Sequence, residues 1–507
     1  AAFSPYNGNG IGFSESWGPR QPTWGHVPGV AGFLSRTQFV LRSGVHKVDI
    51  AFFRQKGWAG TGIGAAYFTN DGIPIGWTHG FVSEPLLDLP NAVVRSGRLA
   101  PDGPAYKALV VEGDVFRGRE FTLSVRSAER ILDLARAGLP VVFIGAWSNP
   151  HVVGVAQPGE DARLRELLTA LFARPNVRVV PVAANVPDAL AELGVARDVE
   201  YPFSTLMTEH RSADNVDLYY LANARHAENR RINPIDQDVW LTSRVKNAIP
   251  YVLDAWTGKA QRIASFEQDG NRFRVHVSLT PGQSTIIAFG DKTWLNDPTG
   301  SAVHAVTSEV PVFYQGGRLM ARSTAAGTFA TTLSNKQTVQ TSVPALPEPF
   351  ALTSWDLEVE DWQPGVTPSE TIKPIRRLSL DGLRAWPEIP ELQDTSGVGR
   401  YRTTVDLGPS WTGGLGAYLD LGGVFDTYRV TVNGAALPPC DVLSTRVDVG
   451  PYLRAGRNTI EVEVATTLSN RLRVTRPEVF AVAARQAYGL IGPVRLVPYR
   501  EVALRNA

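Results

Sequence analysis

Residues 416–432 read Gly-Ala-Tyr-Leu-Asp-Leu-Gly-Gly-Val-Phe-Asp-Thr-Tyr-Arg-Val-Thr-Val, and Asn433-Gly434 follow. Tyr428, Val430 and Val432 alternate with Arg429 and Thr431, the period of a strand with one buried face. Asn-Gly after such a run supplies the two positive-φ positions of a tight hairpin turn. Outward on either side lie Ser396–Val405 (SGVGRYRTTV) and Asp448–Thr466 (DVGPYLRAGRNTIEVEVAT), with the same alternation. Antiparallel strands spaced by turns predict a β-sandwich for the C-terminal part.

The order of these runs (an Arg-Tyr strand, Tyr418-Leu-Asp-Leu-Gly, Val430-Thr-Val-Asn-Gly, Leu453-Arg-Ala-Gly-Arg-Asn) resembles the galactose-binding-like jelly roll attached to many glycoside hydrolases. Gln486–Tyr499 (QAYGLIGPVRLVPY) fits its last strands, and Trp411 reads as one of its exposed aromatics. Asn458–Val464 (NTIEVEV) and Ala465–Leu472 (ATTLSNRL) narrow the resemblance to α-L-rhamnosidase-like enzymes of glycoside hydrolase family 106.

With 507 residues, the chain exceeds one hydrophobic core. Lys+Arg 50 against Asp+Glu 49 leaves a formal charge of +1, which gives no electrostatic case for nucleic acid or an anionic membrane as partner. One cysteine, Cys440 in a Pro-Pro-Cys-Asp turn, rules out an internal disulfide and a multi-cysteine metal site. No apolar run approaches the ~18 residues that would span a bilayer. An opening without methionine (AAFSPYNG) reads as a start inside a longer protein, with a trimmed secretory leader as the alternative.

From the N-terminus, Gly8–Trp24 is a loop rich in Gly, Pro and Trp. Trp17, Arg20, Trp24 and His26, with Glu15, form a set suited to sugar: indole faces for C–H groups, charged groups for hydroxyls. A packed loop held by aromatic anchors is the alternative. Val30–Ser43 predicts an amphipathic helix closed by Gly44.

Strand candidates Val48–Phe53, Lys107–Val111, Val141–Gly145 and Val177–Val182 then alternate with helix candidates Phe121–Ala137, Asp161–Phe172 and Pro187–Leu193. Such alternation predicts a doubly wound parallel sheet. Gly60–Ala65 spells G-x-G-x-x-A, but it neither follows a strand directly nor opens a helix, so dinucleotide binding is set aside. Trp58–His79 reads instead as a long surface loop, in which Trp77 and His79 are candidates to border a sugar site.

Past Tyr201 the period becomes two, and Val216–Leu221, Tyr251–Ala255, Arg272–Leu279 and Ser284–Phe289 predict a small sandwich. Glu209-His210-Arg211, placed before its first strand, resembles a recurrent family feature when followed by Asp217–Asn223. It reads either as support for a neighbouring site or as a buried ion pair at a domain junction.

The expected fold class is multidomain α/β plus all-β. The divisions are 1–44 (loop and tail of an upstream barrel), 45–205 (flavodoxin-like α/β), 206–295 (small sandwich), 296–375 (β-rich connection) and 376–507 (jelly roll). Ser354–Val359 already leads into the last module.

Zinc-hydrolase H-E-x-x-H, the G-x-S-x-G elbow and a P-loop are all missing. A glycosidase needs two carboxyl groups flanking the bond, and the chain lacks the eightfold strand–helix run of a complete barrel. The resemblance implies a catalytic (β/α) barrel upstream of Phe13, with the main catalytic carboxylates before residue 1 and Glu15 a candidate contributor.

It further implies an inverting α-L-rhamnosidase acting on oligo- or polysaccharide, in a secreted or periplasmic setting. No cofactor is expected in this chain and no metal site; calcium is assigned to the upstream barrel, and the N-terminal catalytic part is the expected partner. A non-catalytic carbohydrate-binding scaffold, or another glycosidase or polysaccharide lyase sharing these domains, is the alternative.

Overall fold

A computed structural model describes residues 18–53, 77–112, 121–202, 205–224, 232–295, 303–367, 370–411 and 413–504. The chain divides into two compact units: Gln38–Leu253 with Phe266–Asp297, and Ala1–Thr37 with Asp254–Ser265 and Pro298–Ala507.

The first unit holds a parallel sheet in the order His79–Val82, Ile50–Phe53, Ala108–Glu112, Val141–Ile144, Val177–Val180. These strands are short apolar runs because both faces are covered. Phe53, Leu109, Val111 and Phe143 pack on helices Val125–Arg136 and Glu160–Phe172. Ile50, Phe52, Val110 and Val142 face helix Val186–Glu192 through Ala189 and Leu190. Helix Val125–Arg136 begins at an N-cap, Ser124, whose hydroxyl accepts from the Ser127 amide at 2.9 Å.

Expected strands and helices of this layer lie within a few residues of their observed places. One strand of this parallel layer escaped the sequence reading. His79–Val82 joins the parallel sheet at its edge, so His79 is not a loop residue. Trp77, 8% exposed, belongs to the core rather than the surface. Trp58–Gly76 lies outside the described residues.

The same unit contains two antiparallel sheets. One runs Val45–Lys47, Leu206–Ala213, Val216–Asn223, Ser284–Gly290, Ile249–Leu253. The other runs Glu267–Asp269, Arg272–Leu279, Ile235–Thr242, Val199–Glu200. Phe273 of one and Phe289 of the other meet at 4.8 Å between ring centroids. Glu209-His210-Arg211, expected ahead of the first strand, lies inside Leu206–Ala213. Gly44 turns the chain at φ +55, and a Cβ there would come within 2.2 Å of the Ser212 carbonyl oxygen, so no other residue fits without displacing backbone.

The second unit is β-rich. Its largest sheets run Ile375–Leu380, Trp355–Asp361, Gly397–Leu407, Gly456–Ala465, Thr427–Val432, Ala435–Ala436, and Val312–Gln315, Arg318–Ser323, Arg495–Ala503, Leu415–Asp420, Arg446–Asp448. The 416–432 stretch therefore contributes to both sheets. Leu415–Asp420 pairs with Arg495–Ala503, while Thr427–Val432 pairs with Gly456–Ala465. Asn433 and Gly434 take φ +52 and +80, as the hairpin reading requires, although the returning strand is only Ala435–Ala436. Strands from 296–375 are hydrogen-bonded into these sheets, Met320 opposite Ala503 and Leu357 opposite Tyr401.

Between the sheets lie Trp355, Trp386, Tyr401, Tyr428 and Tyr488, and with them Trp411, which is buried and not the exposed aromatic expected from the sequence. Arg322 locks one sheet: it donates to Asp448 (2.9 Å) and Glu501 (2.5 Å), and its guanidinium lies 4.2 Å from the Tyr499 ring centroid. Helix Val27–Arg42 extends the predicted one by a turn at its start; within it Phe33 stacks on Trp256 at 4.4 Å, whereas Leu34 and Phe39 stay exposed.

The Tyr401 hydroxyl accepts from Trp386 Nε1 at 2.6 Å and from the Leu490 amide at 3.0 Å, all buried. Tyr401→Phe orphans both donors, at a cost of about 1–3 kcal/mol each. Urea unfolding of the β-rich unit should shift to lower denaturant without a change in slope; an unchanged midpoint would remove this phenol from the core's supports.

Candidate functional site

The sequence-predicted site residues fall in both units. In the β-rich unit, Pro22–His26 forms a 3₁₀ turn. Gly25 gives its carbonyl to the Arg429 guanidinium. His26 is buried, Nδ1 2.8 Å from Thr427 Oγ1 and Nε2 3.1 Å from Glu463 Oε1, so both ring nitrogens are engaged within the fold. Glu463 also receives Arg400 at 2.9 Å. The His26 bond, with help from Arg400, holds its carboxyl below the usual range although burial opposes this. Trp24, two residues before His26, keeps 41% of its surface exposed. Arg20 is half-buried. Glu15 and Trp17 lie outside the described residues.

In the α/β–sandwich unit, the His79 ring packs edge-on against Phe52 (5.8 Å) and Phe81 (5.6 Å). Burial lowers its pKa, though a backbone bond to Trp77 acts the other way. Trp77 carries the Arg197 guanidinium over its ring at 5.9 Å.

The densest chemistry of this unit was not legible as a motif. Asp49 and Lys107 each stand one residue before a parallel strand, and Asp198 one before Val199–Glu200. Lys107 Nζ lies 2.6 Å from Asp49 Oδ1 and 2.7 Å from Asp198 Oδ1, and donates to the Ala196 carbonyl at 2.8 Å. Asp49 also accepts from the Thr78 hydroxyl (3.1 Å) and the Asp198 amide (3.2 Å). Asp198 Oδ2 meets His210 Nδ1 at 3.1 Å; on the other side, Asp217 Oδ1 meets His210 Nε2 at 3.3 Å. Asp217 finishes by accepting from Ser243 Oγ (3.0 Å) and the Arg244 amide (2.6 Å).

His210 is 1% exposed and stacks on Tyr219 at 4.2 Å. Both its nitrogens face carboxylate oxygens, which only accept while ionised, so the ring carries two N–H groups and is an imidazolium. Burial alone would lower its pKa; Asp198 and then Asp217 more than offset this and raise it. Asp198 and Asp217 are both lowered by the same contact against their own burial. Asp49 is raised by burial, with Lys107 opposing. Of the two roles open to Glu209-His210-Arg211, the geometry fits the buried ion pair. Glu209 reaches His46 at 2.6 Å near the surface, and Arg211 donates to the Ser43 carbonyl at 2.9 Å.

Beside this chain of charges is a cleft of ≈ 700 Å³, walled in part by Trp77, Arg98, Lys107, Arg197, Asp198 and Arg272. It lies at the N-terminal ends of the parallel strands, opposite to the edge where open α/β sheets usually bind ligands. Among the described residues no three His, Cys, Asp or Glu side chains are grouped as a metal-ligand set. No helix among them is long and apolar enough to cross a membrane.

Residues 5–268 match the sequence profile of a glycoside hydrolase family described as alpha-L-rhamnosidase. The fold resembles the structure of a rhamnosidase from Novosphingobium sp. PP1Y, with TM-score 0.66, 18% identity and coverage of 96% of this chain and 42% of that one. A Formosa agariphila protein named provisionally as a beta-glucuronidase is 22% identical over 267 residues, 52% of this chain and 20% of its own. The chain thus spans under half the length of either.

Replacing His210 by Gln leaves Asp198 and Asp217 without their shared cation, a loss of about 3–5 kcal/mol. A raised histidine pKa means stability present below the unfolded value near ~6.5 and lost as pH climbs through the folded one. The depressed Asp217 loses its contribution at the acid end. Urea midpoints of this unit should therefore fall on alkaline titration in the parent and flatten there in His210→Gln; parallel profiles would contradict the imidazolium.

Proposed function

We propose, from the premise that this chain belongs to the α-L-rhamnosidase family of glycoside hydrolases, that it acts in hydrolysis of terminal α-L-rhamnosyl or closely related bonds. The carrying observation is the family match over residues 5–268, which takes in the aromatic opening loop, the α/β layer and most of the adjoining sandwich.

Such a reaction needs a carboxylic acid to protonate the leaving oxygen. An inverting enzyme sets a second carboxylate ~6.5–9.5 Å away to activate water on the opposite face. We assign these two roles to a barrel preceding Phe13, with Glu15 as the contributor from this chain. No step is routed through calcium, whose proposed place is that same barrel.

In this reading the loop Trp17–His26 borders the sugar. Trp24 offers an exposed indole face for the apolar side of a pyranose, Trp17 is the second aromatic of the proposed set, and Arg20 supplies hydrogen bonds to hydroxyls. His26 acts indirectly: bonded to Thr427 and Glu463, it pins the turn that presents Trp24. Trp77 and His79 pack within the α/β layer. The β-rich C-terminal part serves as a galactose-binding-like jelly roll that braces the loop. A secreted or periplasmic setting suits a polysaccharide substrate.

The test is release of nitrophenol from 4-nitrophenyl α-L-rhamnopyranoside by this chain and by the longest product of its gene. The proposal predicts turnover by the longest product, reduced ~10-fold by Trp24→Ala, with the larger part of that loss in KM. Absence of turnover on any rhamnoside or related glycoside would overturn it. Saturable binding of rhamnose-rich polysaccharide without turnover would favour a carbohydrate-binding scaffold.

A further inference from the structure

Charges around the cleft at the N-terminal edge of the parallel sheet do not pair off. Lys107 is taken up by Asp49 and Asp198. Arg272 donates to Glu200 at 2.5 Å and lies 5.0 Å from the Trp240 ring centroid. Arg98 and Arg197 also line the cleft, and neither has a carboxylate partner among the described residues. Arg197 is aligned by the Trp77 ring beneath it, and Arg98 is exposed. Arg98, Lys107, Arg197 and Arg272 outnumber Asp198 and Glu200 among the charged residues of the lining.

Ser96, Thr242 and Asn271 complete the wall with uncharged hydrogen-bonding groups. At ≈ 700 Å³ the space falls within the ~300–1,000 Å³ of small-molecule sites. These polar groups share the wall with apolar ones such as Pro187 and Leu193. Two unpaired guanidinium groups favour a planar or tetrahedral oxyanion held by paired N–H donors. The hydroxyl and amide groups between them suit a ligand rich in hydroxyls.

We propose that this cleft binds an oxyanion-bearing saccharide, its carboxylate or sulfate ester gripped by Arg98 and Arg197 and its hydroxyls met by Ser96, Thr242 and Asn271. The assignment of a saccharide rests on the glycoside-hydrolase reading; the assignment of an anion rests on the two arginines alone.

Calorimetric titration of the full chain at low salt decides it, with four probes: trigalacturonic acid, the same trisaccharide with its carboxyls reduced to alcohols, a sulfated galactobiose, and inorganic sulfate. At least one anionic saccharide should bind saturably and at least ~10-fold more tightly than the neutral trisaccharide. Arg98→Ala and Arg197→Ala should each weaken it ~10-fold with unchanged circular dichroism, and salt should weaken it further. Which of the two anionic sugars wins identifies the oxyanion.

Equal affinity for neutral and anionic trisaccharides, parent-like binding by both variants, or no binding at all would overturn the proposal. Inorganic sulfate binding as tightly as the sugars would do so too, showing an adventitious ion only. Rhamnoside hydrolysis measured in parallel keeps the two readings apart. Lost hydrolysis with retained anion-selective binding sinks the activity and leaves the site, and the converse sinks the site.

Discussion

A protonated histidine held between two buried carboxylates is the constraint that the α/β–sandwich unit is arranged around. Asp198 comes from the segment that leaves the last helix of the parallel layer, and Asp217 and His210 from paired strands of the sandwich. Lys107 and Asp49 carry the chain of charges to the starts of two central parallel strands. Removing several ions from water costs several kcal/mol apiece, so such a network stays folded only with every oxygen and nitrogen satisfied. Thr78, Ser243 and the backbone amides of Asp198 and Arg244 meet that demand. The cost explains why the network sits where two kinds of sheet meet: there the backbone ends supply donors that a continuous apolar core could not.

Much of the architecture was legible because its signals are local. Val141–Ile144 and Val177–Val180 are apolar runs too short for helices, and Gly138 after Arg136 marks a stop that the structure keeps at φ +98. What failed was non-local. His79–Val82 contains Gly80 and follows a glycine-rich stretch, so nothing in its composition announces a strand; its place is set by pairing with Ile50–Phe53. Leu206–Ala213 was hidden by Glu209-His210-Arg211, since three charged or titratable residues in a row look like loop until the partners of His210 are known. Residues 416–432 show the same limit from another side. Alternation marks both strands in it, but a period of two does not say that they belong to opposite sheets. Trp411 was read as exposed for want of any sign of the core it enters.

Sequence and structure meet only in part at the candidate site. Residue types around Trp24 and His26 point to sugar chemistry; in the structure the Trp24 indole is exposed and the His26 imidazole is buried against Thr427 and Glu463. Sequence spacing could not find the cleft, because Arg98, Arg197 and Arg272 are brought together only by the fold. Family membership is what the proposal of glycoside chemistry rests on, and the likeness to a rhamnosidase structure shows the fold. The catalytic pair and the identity of the sugar are carried by the proposal.

The state of His210 is the claim on which the architecture of this unit most depends, and nitrogen-15 NMR of the ring at neutral pH reads it directly. The account predicts hydrogen on both Nδ1 and Nε2 at pH 7, above the ordinary histidine midpoint near ~6.5, with both signals lost to a single neutral tautomer only on alkaline titration. A ring with one unprotonated nitrogen at pH 7 would contradict it.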